Sequence, residues 1–265
     1  MKKFISVATA TIVMSGAAHA APVNLTGWIE NGFQGNDGAG TWNVQSGNDS
    51  VLQTINGEPT VFFDPGTNSQ GTALAGTIEV ETTGDDDFIG FVLGYQDGEM
   101  NSTNADFWLI DWKQNDQFFS GNLGAAGLSL SHVTGDLSNG PTAGNSFWGH
   151  TDTVSEVARA TNFGSVGWED NTEYSFELTF TDSLIEIFVD GVLEISHSGS
   201  FTDGAFGFYN YSQSQVRYAG ITEAVLPTDP IPDPGPGPST VPLPAGLPLL
   251  LAGLGAFGLI RRRKA

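Results

Sequence analysis

Asp85-Asp86-Asp87-Phe88-Ile89-Gly90-Phe91-Val92-Leu93-Gly94-Tyr95-Gln96-Asp97 is followed, after a polar loop, by Phe107-Trp108-Leu109-Ile110-Asp111-Trp112-Lys113. These two runs decide the fold. Each is short, apolar and rich in aromatic and aliphatic side chains, and each is bounded by Gly, Asp or Asn. That is the pattern of a strand buried in a sheet. Two strands of one sheet are therefore expected here. Three adjacent carboxylates lead into the first. Like charges this close repel, and they need water or a cation between them. Crowded hard oxygens favour Ca²⁺. A solvated acidic turn is the plainer alternative.

Outward from this pair, short alternating runs recur. They are Thr41–Val44, Val51–Ile55, Thr60–Phe63 after a turn at Asn56-Gly57, Ala73–Glu81, Leu128–Val133, Tyr174–Phe180, Gly204–Tyr211 and Gln215–Ile221. Leu184–Val189 and Val192–Ser196 flank Asp190-Gly191, a type I′ turn dipeptide, and mark the clearest hairpin. No internal repeat and no long amphipathic helix is visible. So many short strands in one Gly-rich stretch of about 205 residues imply a single all-β domain. The expected architecture is a two-sheet jelly-roll sandwich.

Charge narrows the function. The segment 21–240 holds three basic residues, Lys113, Arg159 and Arg217, against 30 acidic ones, a formal charge of −27. Such a surface repels nucleic acid and attracts cations, so nucleic acid is excluded as a partner. There is no cysteine, hence no disulfide and no thiolate metal site. The four histidines show no metal-ligand spacing.

Both ends read as addresses. Lys2-Lys3, an apolar run from Phe4 and Ala18-His19-Ala20 form a signal peptide over residues 1–20, which leaves Ala21 as the mature N-terminus. Residues 226–240 are a Pro/Gly-rich extended linker. Val241-Pro242-Leu243-Pro244-Ala245 precedes an apolar run to Ile260 and the basic Arg261-Arg262-Arg263-Lys264. Ala245–Ile260 would span about 24 Å as a helix, slightly short of a bilayer core of about 30 Å, and the basic cluster would keep the C-terminus cytoplasmic. Motif, apolar helix and basic tail over 241–265 together resemble a PEP-CTERM sorting signal of the VPLPA variant. The resemblance implies an exosortase-type protease as partner, transient anchoring in the inner membrane through the C-terminal helix, and delivery to the cell surface or extracellular matrix of a Gram-negative bacterium. An ordinary permanent anchor is the alternative.

The domain over 21–225 resembles the thrombospondin C-terminal domain, a lectin-like jelly roll. The resemblance is carried by Val51-Leu52-Gln53-Thr54-Ile55-Asn56, Gly76-Thr77, the whole run from Asp85 to Gln96, and Trp112-Lys113-Gln114. It continues in Gly127-Leu128-Ser129, Phe147-Trp148-Gly149-His150-Thr151, Gly167-Trp168 with Tyr174, and Gly204 to Ser212. It implies a concanavalin-like or L-type-lectin-like form of the jelly roll, Ca²⁺ binding and a role in cell–cell and cell–matrix adhesion, with a polysaccharide or protein of the cell surface or matrix as partner. Three departures bound it. The Asp-repeat calcium modules that precede the domain in thrombospondins are missing, so a lone lectin-like domain is expected. The segment Asp106–Asp111 lacks the basic residue of the receptor-binding peptide proposed for the animal proteins, so that role is not carried over. The family's C-terminal cysteine is absent.

With this resemblance, calcium becomes the working expectation. Alternate residues of an extended strand face opposite ways, so Asp85, Asp86 and Asp87 can share one ion only from a loop or bulge. Asp86 and Asp87 lead, Asp85 is next, and Asp97 and Asp111 are candidates to complete the shell. In its apolar context, Asp111 must be answered by a metal, Lys113 or a backbone N–H. Catalysis is not expected. A sandwich-fold glycosidase or polysaccharide lyase, the alternative, needs two carboxylates across a cleft. The nearest pattern, Glu186 to Asp190, has the wrong spacing. Trp108, Trp112, Trp148 and Trp168 are read as core rather than as sugar-stacking platforms.

Overall fold

The computed structural model describes residues 22–33 and 39–226, apart from the side chains at 141–143. β1 (Ile29–Gly32), β2 (Trp42–Val44), β3 (Ser50–Gln53), β4 (Thr60–Phe63) and β5 (Thr72–Val80) come first. The two runs quoted above form β6 (Phe88–Tyr95) and β7 (Ala105–Lys113), joined by a loop with one 3-10 turn at Glu99–Asn101. β8 (Gln117–Phe119) and β9 (Asn122–Gly124) make a small hairpin. β10 (Gly127–Gly135), helix α1 (Pro141–Gly149) and β11 (Val154–Arg159) follow. β12 (Glu173–Phe180), β13 (Leu184–Val189), β14 (Val192–Ser198), β15 (Ala205–Tyr211) and β16 (Val216–Val225) complete the order.

Two seven-stranded sheets result. The first runs β1-β4-β15-β6-β7-β10-β11 and the second β14-β13-β12-β5-β16-β3-β2. Every pairing within them is antiparallel. The chain crosses between the sheets at β3 to β4, β5 to β6 and β15 to β16, among others, so the all-β two-sheet sandwich is as expected. Asn56-Gly57 lies in one of these crossovers. Asp190 and Gly191 take φ 49° and 76°, the left-handed pair that a type I′ hairpin requires.

β6 and β7 are central and buried on both faces, which is why they read as continuous apolar runs. Ile89, Phe91 and Leu93, with Trp108, Ile110 and Trp112, enter the core between the sheets. Phe88, Val92, Phe107 and Leu109 point the other way, into a second core on the outer face of the first sheet. That face is covered by Phe33, Met100, Leu137, Phe147 and Trp148, from the helix and loops. Trp108, Trp112, Trp148 and Trp168 are all buried.

The expected strands omitted β1, the β8–β9 hairpin and β11, and α1 was not foreseen. α1 is nine residues long, with Pro141 at its first position and His150 left-handed at its end, φ 48°. The compact unit ends at Leu226. Both cores are closed by its own residues, so it is a self-sufficient folding unit. The signal peptide, the linker beyond Leu226, the 241–245 motif and the C-terminal helix lie outside the described residues. Among the described residues, no helix is long and apolar enough to cross a membrane.

Candidate functional site

Asp85, Asp86 and Asp87 lie in the loop that leads into β6, not in the strand itself. One carboxylate oxygen from each falls within 4.8 Å of the others. Two oxygens on one Ca²⁺ at about 2.3–2.6 Å can stand no more than about 5 Å apart, so these donors fit a single ion. The loop is fastened from several sides. Asn56 Nδ2 donates to Asp85 Oδ2. The Asp87 N–H donates to Gln213 Oε1 at 3.0 Å, and Trp168 Nε1 donates to the Asp87 carbonyl at 3.0 Å.

Lys113, at the end of β7 and opposite Phe88, is fully buried beneath the triplet. Its ammonium donates to Asp87 Oδ1 at 2.6 Å, the Asp86 carbonyl at 3.0 Å, Asp86 Oδ1 at 3.3 Å and Gln117 Oε1 at 3.1 Å. It also stands 4.8 Å from the Trp148 ring centroid and 5.3 Å from that of Phe88, within cation–π range. Burial pushes the Asp87 carboxyl up to about 6, against the hydrogen bond and charge of Lys113. Lys113 thus answers part of the triplet's charge from below. Asp85 accepts from Asn56 Nδ2 and the Asp86 N–H, and Ser212 reaches Asp87, so Asp86 Oδ2 and the spare lone pairs of the triplet are what remain for solvent or an ion.

Asp85 and Asp87 line a cleft of about 550 Å³ whose wall includes Glu58, Asn145, Tyr211 and Ser212. Half-exposed Phe119, from the β8–β9 hairpin, lines it too, its ring 5.2 Å from that of Trp148. These wall residues were not singled out in the sequence. Asn56, Tyr211 and Ser212 do fall within segments that carry the family resemblance. Asn145 and Phe119 reach the cleft only through α1 and the hairpin.

Asp97 and Asp111 do not join the triplet. Asp97 is exposed just past β6, whose eight residues separate it from Asp87 by about 26 Å. Asp111 is buried on β7, and its carboxylate is already committed. It accepts from Ser129 Oγ at 2.7 Å and from His150 Nε2 at 2.9 Å. Its protein partners are therefore a histidine and a serine, rather than Lys113 or a backbone N–H. His150 Nδ1 in turn meets Glu156 Oε2 at 3.1 Å, and Arg159 Nη2 meets the same oxygen at 2.8 Å. Burial alone would lower the His150 pKa, but Asp111 and Glu156 outweigh it and raise it to about 9. Burial likewise opposes ionisation of Glu156, yet His150 and Arg159 hold it down at about 2.

The pair at Glu186 and Asp190 spans no cleft. Glu186 sits on β13, and Asp190 is a turn residue whose Oδ1 accepts from Ser175 N and Oγ at 2.9 and 3.1 Å.

Comparison with known proteins agrees with this architecture. The family described as the thrombospondin C-terminal region matches residues 37–225. The chain belongs to that family. Among individual relatives, thrombospondin-3b of Danio rerio is 29% identical over 206 residues, 72% of this chain and 21% of its own length. Cartilage oligomeric matrix protein of Bos taurus is 28% identical over 194 residues, 68% of this chain and 25% of its own. The chain thus spans about a quarter or less of the curated relatives it matches. Among solved structures, the carbohydrate binding module CBM66 from Bacillus subtilis superposes with a TM-score of 0.50 at 12% identity, covering 76% of this chain and 96% of that one. At that identity the likeness speaks for the fold alone.

Proposed function

We propose that this domain is an extracellular, lectin-like adhesion module that binds Ca²⁺ at Asp85, Asp86 and Asp87 and a polysaccharide or protein of the cell surface or matrix. The observation that carries the reading is the convergence of three carboxylate oxygens within 4.8 Å beside a polar cleft. The ion would neutralise the triplet from the solvent side and stiffen the loop between β5 and β6. Membership of the thrombospondin C-terminal family supports the adhesive role. The signal at 1–20 and the VPLPA-type tail at 241–265 support export, processing by an exosortase-type protease and a bacterial surface or matrix location. The role is binding rather than catalysis.

Thermal unfolding of the unit ending at Leu226, freed of metal and then given Ca²⁺, Mg²⁺ or EDTA, tests the calcium reading. Ca²⁺ at about 100 times its Kd is expected to add about 2.7 kcal/mol, a rise in Tm of roughly 5–10 °C. Mg²⁺ should do little, because it demands a tighter octahedral shell. Asp86→Asn should remove the shift. An unchanged Tm with Ca²⁺ sinks the site.

A further inference from the structure

The cleft carries polar groups that cation binding leaves unused. Tyr211 is only 5% exposed, yet it lines the cleft and its hydroxyl has no hydrogen-bond partner among the described residues. Its ring is fixed by stacking on Phe88 at 6.0 Å and by an edge contact with Trp148 at 5.6 Å. A hydroxyl held this way costs free energy unless water or a ligand answers it. Burial, with Glu58 and Asp87 nearby, pushes its pKa up, so it stays a donor. The Asn145 amide on α1 also has no partner among the described residues. Gln117 gives its Oε1 to Lys113, leaving its Nε2 unused. Beside these groups stands the Phe119 ring, 51% exposed and braced by Trp148.

Rigid amide and hydroxyl donors next to an open aromatic face suit a ring with an apolar C–H side and a rim of hydroxyls. The charge on the wall selects further. Glu58, Asp85 and Asp87 line the cleft, and no Lys or Arg does. An anionic sugar would meet like charge. We propose that the cleft seats a neutral pyranose unit of a polysaccharide, with its C–H face on Phe119 and its hydroxyls on Tyr211, Asn145 and Gln117. This names the ligand class for the lectin-like role proposed above, on which it rests, and it is independent of the calcium arm.

Affinity electrophoresis of the unit ending at Leu226 tests the assignment, in gels containing dextran, laminarin or galactomannan, with polygalacturonate of similar length as the charged comparison. At least one neutral polymer should retard the protein, and polygalacturonate should not. Phe119→Ala should weaken retention roughly fivefold, and Tyr211→Phe by a similar or smaller factor. Neither variant should alter the Ca²⁺-induced rise in Tm. Retention by polygalacturonate alone overturns the proposal, as does retention unchanged in both variants, or none by any polymer. A Ca²⁺ shift without polymer retention rejects this inference and leaves the calcium reading standing. Retention lost in Phe119→Ala, with no Ca²⁺ shift, does the reverse.

Discussion

The two faces of the sheet that holds β6 and β7 are built from the same strands and are both buried, yet their chemistry differs. The inner face meets the second sheet with Ile89, Phe91, Trp108 and Ile110, and its polar pair, Asp106 with His132 at 2.8 Å, stays at the exposed end beside Trp108. The outer face meets α1 and the covering loops, and sets Asp87, Lys113 and Asp111 among Phe88, Leu109 and Trp148. A sheet against a sheet needs only shape and apolar area. A sheet covered by one short helix and loops leaves backbone and side-chain polar groups to be answered, and ionic groups there answer one another. The difference places the candidate site: it sits where the outer cover thins at one end of β6 and β7, with buried charge already beneath it.

The largest expected effect that sharpens this contrast comes from Lys113→Met, which keeps volume and removes the charge. It leaves Asp87 buried without its partner and should cost roughly 3–5 kcal/mol in urea unfolding at neutral pH. If the loss were under about 1 kcal/mol, the outer face would behave as an ordinary apolar core.

Next comes pH. The His150 pKa is raised from 6.5 to about 9 in the fold. A raised pKa means that the folded state holds the proton more tightly. The stabilisation is therefore complete below pH 6.5 and is lost as pH climbs through 9. Stability should fall by roughly 2–3 kcal/mol over that window, and His150→Gln should flatten the profile. A flat profile in the unsubstituted protein would mean that Asp111 and Glu156 do not hold the imidazolium.

On the inner face, Phe91→Leu should cost no more than about 1.5 kcal/mol, since neighbouring apolar groups can repack. A loss equal to that of Lys113→Met would erase the distinction between the faces. The smallest effect belongs to Phe119→Ala on the exposed hairpin, within about 0.5 kcal/mol. A larger loss would make the hairpin part of the outer core.

Legibility in the sequence follows the same division. The inner face was readable, because alternation and turn dipeptides are local signals. β5, β10, β12 and the β13–β14 hairpin lie where Ala73–Glu81, Leu128–Val133, Tyr174–Phe180 and Asp190-Gly191 indicated. The triplet's need for loop geometry also followed from strand periodicity. The outer cover was not readable. α1 is short and polar-spotted, and β8, β9 and β11 are too short or too exposed to alternate clearly. Asp111 was recognised as a carboxylate needing an answer. Its partner, His150, lies 39 residues away at a helix end that nothing local announces. Asp97 looked close to the triplet because sequence distance along a strand hides its length in space.

β16 bears a mechanical consequence. It begins at Val216, near the cleft end, and runs ten residues to Val225, about 30 Å away. Both its neighbours, β5 and β3, are hydrogen-bonded to it. The N-terminal segment meets β16 midway along its length, with Val23 N donating to the Ile221 carbonyl at 2.6 Å. The pole where ligand would be gripped is thus opposite the end of β16 at which the compact unit closes, at Leu226. Tension between them pulls along β16 and loads its flanking hydrogen bonds together, in shear, instead of unzipping them one by one.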